Sequence, residues 1–153
     1  MKLKINPETL RQALACFVIQ EPSALDPENI NLCAAEYPEL KRLLDSGLNP
    51  NTPNWEGTLP LHFFCSMRDP NSVALLLMHG ADPDWFDKSG RSAVHHAIRA
   101  YDTNILRMLQ QAGADMACRD SQGWTIVEHA QDMGYPKWVA IAKQFITEIP
   151  AHA

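Results

Sequence analysis

The sequence predicts an all-α fold made of stacked helix–turn–helix units, because it copies itself at a fixed step of 33 residues. Two sets of glycines share this spacing: Gly57, Gly90 and Gly123, and Gly47, Gly80 and Gly113. Apolar residues ahead of the second set repeat at the same step: Leu40, Val73, Leu106 and Val139. A constant period of this size is typical of repeat proteins, in which one small unit is stacked on copies of itself.

The stretch from Val73 to Ile98 shows what each unit contains. Its first apolar residues have the i, i+3 and i+4 spacing of one face of a helix, and Gly80 follows where that helix needs a left-handed residue to end. The next residues are rich in turn formers. Ser92, a good N-cap residue, then precedes a short second apolar run. Neither helix can bury its apolar side alone, so we expect stability to come from neighbouring units.

These features resemble the ankyrin repeat, whose usual pattern opens the first helix with Thr-Pro-Leu-His. Pro60, Leu61 and His62 match that tetrapeptide, and Leu59 stands in place of its threonine. Residues 92–95 and 125–128 follow it more loosely. The resemblance covers about residues 36–134, and it implies an ankyrin-repeat solenoid with projecting β-turn loops. It also implies protein binding, because members of this family bind proteins and rarely catalyse.

We expect residues 1–153 to form a single domain. Its predicted parts are an N-terminal capping helix at 1–23, a degenerate first repeat at 24–56, repeats at 57–89 and 90–122, and a C-terminal capping repeat at 123–153. Within these parts, helices are predicted at residues 7–20, 38–44 and 137–147. Terminal units of such arrays need a more polar outer side to stay soluble, which fits the two capping assignments.

The composition narrows the class of partner. The formal net charge is −5 and there is no basic cluster, which argues against nucleic acid. No apolar run is long enough to span a membrane, and the two lysines near the N-terminus precede no signal-type apolar core. We therefore expect a cytoplasmic, monomeric protein that binds another protein, with no membrane and no small-molecule substrate as a partner.

The cysteines and histidines do not form a recognisable catalytic or metal motif. The four cysteines, Cys16, Cys33, Cys65 and Cys118, lie far apart and favour reduced, buried thiols, with Cys118 in a turn as the exception. In the resembled family, the histidine at the place of His62 and His95 braces adjacent turns through hydrogen bonds. Adjacent His95 and His96 also lack the helical spacing of metal ligands. We predict no catalytic residues, no metal, no cofactor and no enzymatic activity.

Partner recognition is expected where the copies differ, which is in the projecting turns and on the surface of the first helices. Trp and Arg dominate the energetics of many interfaces. The predicted partner-binding residues are Trp55, Glu56, Trp85, Phe86, Lys88, Arg99, Arg119 and Trp124. Two alternatives stay open. Trp85 or Trp124 could fold back onto a neighbouring turn, Trp85 more readily because it replaces a small residue, and the arginines could simply be solvated.

Two functions from the binding class fit this surface. The first is a general adaptor that brings a partner to another molecule. The second is a dedicated inhibitor or immunity-type protein that neutralises one enzyme or toxin, which suits a small, acidic repeat protein.

Overall fold

The computed structural model describes residues 36–54 and 56–148, and this part of the chain is helical, without strands. Its helices are α1 Tyr37–Asp45, α2 Pro60–Ser66, α3 Pro70–Met78, α4 Ala93–Arg99, α5 Thr103–Gln111, α6 Ile126–Asp132 and α7 Pro136–Thr147. The predicted all-α class is confirmed. The predicted helix at residues 7–20 and Trp55 lie outside the described residues.

The helices begin at residues that suit a helix N-terminus. In α3 the carboxylate of Asp69 accepts hydrogen bonds from the backbone N–H groups of Asn71 and Ser72, and Asp102 does the same at the start of α5. The helix predicted at residues 38–44 extends one residue further at each end, and the one predicted at 137–147 begins one residue earlier. Each of these helices has a proline in its first turn, Pro38 or Pro136, where the missing N–H costs no hydrogen bond.

The joint between the two helices of a unit uses a left-handed residue. Arg68, Tyr101 and Gly134, which are 33 residues apart, have φ angles of 58°, 58° and 75°. At Gly134, glycine adopts the left-handed conformation without penalty. At Arg68 and Tyr101 the same backbone carries a side chain, and this shows that the position in the unit determines the conformation.

The helices form two layers. The first helices of successive units, α2, α4 and α6, pack side by side, and the second helices, α1, α3, α5 and α7, form the other layer. Three residues of the apolar row predicted from the repeat are fully buried, namely Leu40, Val73 and Leu106, whereas Val139 in the last helix is partly buried. Units thus bury their apolar faces against each other, as the repeat required. The exact unit boundaries stay a prediction.

Candidate partner-binding surface

Each projecting turn is organised by one Asn or Asp side chain. Oδ1 of Asp87 accepts hydrogen bonds from the backbone N–H groups of Ser89 and Arg91, at 2.8 and 3.0 Å. Asn54 and Asp120, one unit before and one unit after, make the equivalent pair of bonds at 2.8–3.0 Å. A backbone fixed from within presents its side chains with little ordering entropy left to lose on binding.

Neighbouring turns also contact each other. The Ser121 hydroxyl donates to the Ser89 carbonyl at 2.6 Å. The side chain of Lys88 lies across Gly57, where an added Cβ would meet its Cε at 2.3 Å. Lys88 is exposed, so its stem covers the adjacent turn while its surface remains accessible. The turns therefore form a connected row instead of separate loops.

Trp85 and Phe86 supply exposed apolar surface on this row. Their side chains are 45% and 52% exposed, and they directly precede Asp87, which organises the turn. Exposed aromatic neighbours on a fixed backbone have the character of interface anchors. The exposure of these two residues agrees with the sequence-based expectation, while their contact with a partner stays a prediction.

Trp124 corrects that expectation. It is only partly exposed, and its ring packs edge-on against the ring of His129, with centroids 5.4 Å apart. Its backbone is held on both sides, because its N–H donates to Asp120 and its carbonyl accepts from Nε2 of His95 at 3.0 Å. Trp124, and not Trp85, is therefore the tryptophan that folds back. Its place directly before the N-cap of α6 brings the ring over that helix.

The charged residues of the predicted site are exposed but differ in their contacts. Glu56 lies on the surface of its turn. Arg119 donates to the carbonyl of Gly123 within its own turn at 2.6 Å, and Arg99 lies 4.0 Å from the carboxylate of Asp132. The two arginines thus already have partners within the chain, and a bound carboxylate would have to compete with them.

His95 has the bracing role that the resemblance implied. Its Nδ1 accepts from the backbone N–H of Ser92 at 3.2 Å, and its Nε2 donates to the Trp124 carbonyl of the next turn. In the same region, Nε2 of His129 donates to the buried carboxylate of Asp120 at 2.9 Å. Burial lowers the pKa of both histidines, so both are neutral donors near neutral pH.

A second group of side chains is brought together by the fold and was not predicted. His62, Asp87 and His96 come from α2, a turn and α4, and their potential ligand atoms all lie within 4.8 Å of one another. Repeat periodicity could not reveal this group, because its members occupy three different positions of the unit.

The thiols within the described residues are not activated. Cys65 is buried, and burial raises its pKa far above the usual range. Cys118 is only partly exposed, and burial raises its pKa as well. A thiol in such surroundings is a poor nucleophile at neutral pH. Cys16 and Cys33 lie outside the described residues.

An aromatic cluster on the joint side of the stack was also missed. The ring of Tyr101 packs edge-on against Tyr135 and Trp138, with centroids 5.5 and 5.3 Å apart. Tyr101 and Tyr135 keep much of their surface exposed. A shallow cavity of about 400 Å³ borders Tyr135 and Val139. The sequence offered no signal that would bring these three rings together.

Within the described residues, the helices are too short or too polar to cross a membrane.

Comparison with known proteins identifies the repeat. The family model for ankyrin repeats in three copies matches residues 30–120, which is more than half of the chain. A mouse (Mus musculus) protein named RelA-associated inhibitor is 34% identical over an alignment of 68 residues, and the match covers 41% of this chain. The aligned part spans 8% of that protein, so the chain corresponds to a small portion of it.

Proposed function

This chain belongs to the ankyrin-repeat family, and from that premise we propose that it is a non-catalytic module that binds a partner protein across its turns and first helices. Ankyrin repeats are typically non-catalytic interaction modules. The proposed site comprises the turn residues Glu56, Trp85, Phe86, Lys88 and Arg119, with Arg99 on α4 and Trp124. Trp55, which lies outside the described residues, stays a predicted member of this site. The predicted cytoplasmic location is part of this proposal.

The observation that carries the proposal is the adjacent, exposed pair Trp85 and Phe86 on a turn held by Asp87. Aromatic side chains bury large apolar areas on binding, and a backbone already in place lowers the entropic cost. Trp124 contributes mainly by supporting its turn, since its ring packs on His129.

The proposal is tested by comparing two variants of the full chain as bait in native lysate. Trp85→Ala/Phe86→Ala removes the exposed pair, and Met78→Ala on α3 is the control because its side chain is 81% exposed on the other layer. We expect a partner captured by the wild type and the control and lost by the turn variant. With the purified partner, we expect the turn variant to weaken binding by about 2 kcal/mol or more.

Both variants must first show unchanged circular dichroism and urea midpoints. Equal binding by the turn variant and the control would contradict the proposed surface and move the site to another face.

A dedicated inhibitor is the second candidate, and the name of the mouse relative favours it. The acidic net charge of −5 suits a protein that covers a basic surface on its target. RelA is accordingly one partner to test directly by titration with this chain. A one-to-one complex that abolishes the activity of its partner would support inhibition, whereas several weak partners with unchanged activities would support an adaptor.

A further inference from the structure

Buried His62 has lost the hydrogen bonds that its position normally makes. The imidazole is 1% exposed, and neither ring nitrogen has a hydrogen-bond partner. The Trp85 carbonyl lies near the ring but outside hydrogen-bond geometry. A buried polar group without a hydrogen-bond partner destabilises the folded state, so the presence of a histidine at this position calls for an explanation.

The missing contact at Nδ1 of His62 corresponds to a sequence difference between the two units. In the next unit, Nδ1 of His95 contacts the backbone N–H and the hydroxyl of Ser92 at 3.2 and 3.1 Å. Leu59 occupies the place of Ser92 in the earlier unit and offers no hydroxyl. The ring of His62 instead stacks on that of His96, with centroids 5.0 Å apart and planes 19° from parallel.

Asp87 is arranged to offer one carboxylate oxygen to this space. Its Oδ1 accepts two backbone hydrogen bonds, and its Oδ2 lies 2.8 Å from Nε2 of His96. Both side chains are about one-fifth exposed, so the space is reachable from solvent. Carboxylates that bind metal ions are usually oriented in this way, by hydrogen bonds from neighbouring groups.

His96 has a supporting contact on its other nitrogen. Its Nδ1 lies 3.2 Å from the Ser66 hydroxyl, which donates to the His62 carbonyl at 2.9 Å. A hydroxyl has one proton to donate, so a hydrogen bond to Ser66 requires the proton on Nδ1 of His96. The contact between Nε2 and the Asp87 carboxylate is shorter, at 2.8 Å, and favours the proton on Nε2 instead, where it is donated to Asp87. A metal ion would take the place of this proton.

We propose that His62, Asp87 and His96 bind one divalent transition-metal ion, Zn²⁺ first among them. Two imidazoles and a carboxylate are ligands that Zn²⁺ accepts, and three protein ligands leave a fourth position for water or a partner side chain. Metal coordination satisfies the unpartnered His62 ring. The ion replaces the Nε2 proton that His96 donates to Asp87, and that proton is released to solvent. The ion joins two units and the turn that carries Trp85 and Phe86.

The geometry requires side-chain adjustments. Imidazole lone pairs lie in the ring plane, so the stacked rings of His62 and His96, 19° from parallel, must rotate to aim at one ion. Bond lengths of about 2.0–2.2 Å place ligand atoms roughly 3.3 Å apart around a tetrahedral ion. The Asp87–His96 pair at 2.8 Å must open slightly, and the third ligand must approach from within the 4.8 Å limit. Burial is the main cause that lowers the pKa of His96, and the nearby charges of Arg91 and Arg99 lower it further. The same positive charges oppose the binding of a metal cation. This repulsion favours a site weaker than four-ligand structural zinc centres.

The test uses substitutions that the chain itself supplies at equivalent positions. Asn54 holds its turn as Asp87 does, so Asp87→Asn removes the charged ligand and keeps the turn. Phe63 is the counterpart of His96 one unit earlier, which makes His96→Phe the second variant. Asp120→Asn is the matched control, because Asp120 holds the equivalent turn of the next unit and pairs with His129. The histidine equivalent to His62 is His95, which is already hydrogen-bonded, so we expect no metal site there.

The full chain is freed of metal with a chelator and titrated with ZnCl₂ by calorimetry and chelator competition, with CoCl₂ absorption reporting the coordination geometry. We expect one Zn²⁺ per chain in the wild type and in Asp120→Asn, and affinity reduced about tenfold or more in Asp87→Asn and His96→Phe. Circular dichroism must show all four proteins folded.

Absence of Zn²⁺ binding by the wild type would overturn the proposal. Equal affinity of Asp87→Asn and Asp120→Asn would also overturn it and assign the metal to other residues. Neither result bears on the proposed partner surface, which is tested by protein capture in the presence of the chelator.

Discussion

At the scale of the residue, His62 and His95 show how one neighbour changes the role of a side chain. The two histidines occupy the same position in successive units and are both fully buried. His95 bonds to Ser92 and to the Trp124 carbonyl, whereas His62 has Leu59 at the position of Ser92 and has no hydrogen bond. One histidine therefore braces the stack, and the other is available for a ligand.

This contrast predicts opposite effects of the same substitution in metal-free buffer. His62→Leu removes a buried polar group without partners, so we expect unchanged or increased stability. His95→Leu leaves the Trp124 carbonyl and Ser92 without their partner, and we expect a loss of about 1–3 kcal/mol. The free energy of unfolding in urea at pH 7 measures both. Equal losses in the two variants would contradict the assignment of His62 as unpartnered.

At the scale of the element, the projecting turns are held by their own hydrogen bonds and by close approach to the next turn. Gly90 has a φ of +66°, and a Cβ there would lie 2.7 Å from the backbone nitrogen of Ser121. Gly113, at the end of α5, has a φ of +87° with nothing within 4 Å of such a Cβ. The repeated glycines thus serve two different purposes. Gly113 follows the end of a helix, whereas Gly90 lets two neighbouring turns approach each other.

We therefore predict unequal costs for two glycine substitutions. Gly113→Ala meets only the left-handed backbone and should cost about 1–2 kcal/mol. Gly90→Ala adds a clash with the Ser121 backbone, which cannot move away as a flexible side chain would, and should cost about 1–3 kcal/mol more. Urea denaturation of both variants measures the difference. Similar costs would mean that the turns yield easily and do not form a fixed row.

At the scale of the whole molecule, the stacking of units buries several histidines in neutral form. Burial lowers the pKa of His62 from 6.5 to about 4, and the nearby His96 contributes in the same direction. Burial also lowers the pKa values of His95, His96 and His129. Because the unfolded chain binds these protons more readily than the folded chain, acid favours unfolding.

The stability of the protein should therefore fall as the pH is lowered from about 6.5 to about 4, the interval between the unfolded and folded pKa values of His62. A pKa difference of one between the two states corresponds to about 1.4 kcal/mol, so His62 alone accounts for roughly 3 kcal/mol at the acid end. Urea titrations with chelator at several pH values measure this slope, and His62→Leu should flatten it. An unchanged slope in His62→Leu would show that other groups dominate.

The repeat spacing by itself determined the all-α class, the helix pairs, the buried row that includes Leu40, Val73 and Leu106, and the edge on which the turns lie. These features follow from a period of 33 residues, because equivalent positions in a stack have equivalent neighbours. The exposure of Trp85 and Phe86 followed from the same reasoning, since a projecting turn offers an aromatic ring little core to enter.

The tertiary structure alone decided what happens where the copies differ. Trp124 packs on His129 while Trp85 stays exposed, because the ring of Trp124 meets a side chain of α6 that the repeat pattern does not specify. The group of His62, Asp87 and His96 likewise joins two helices and a turn. Periodicity tells which positions correspond, whereas distances between non-equivalent positions depend on how the units stack. The packing of Trp124 and the candidate metal site therefore emerged only from the packed molecule.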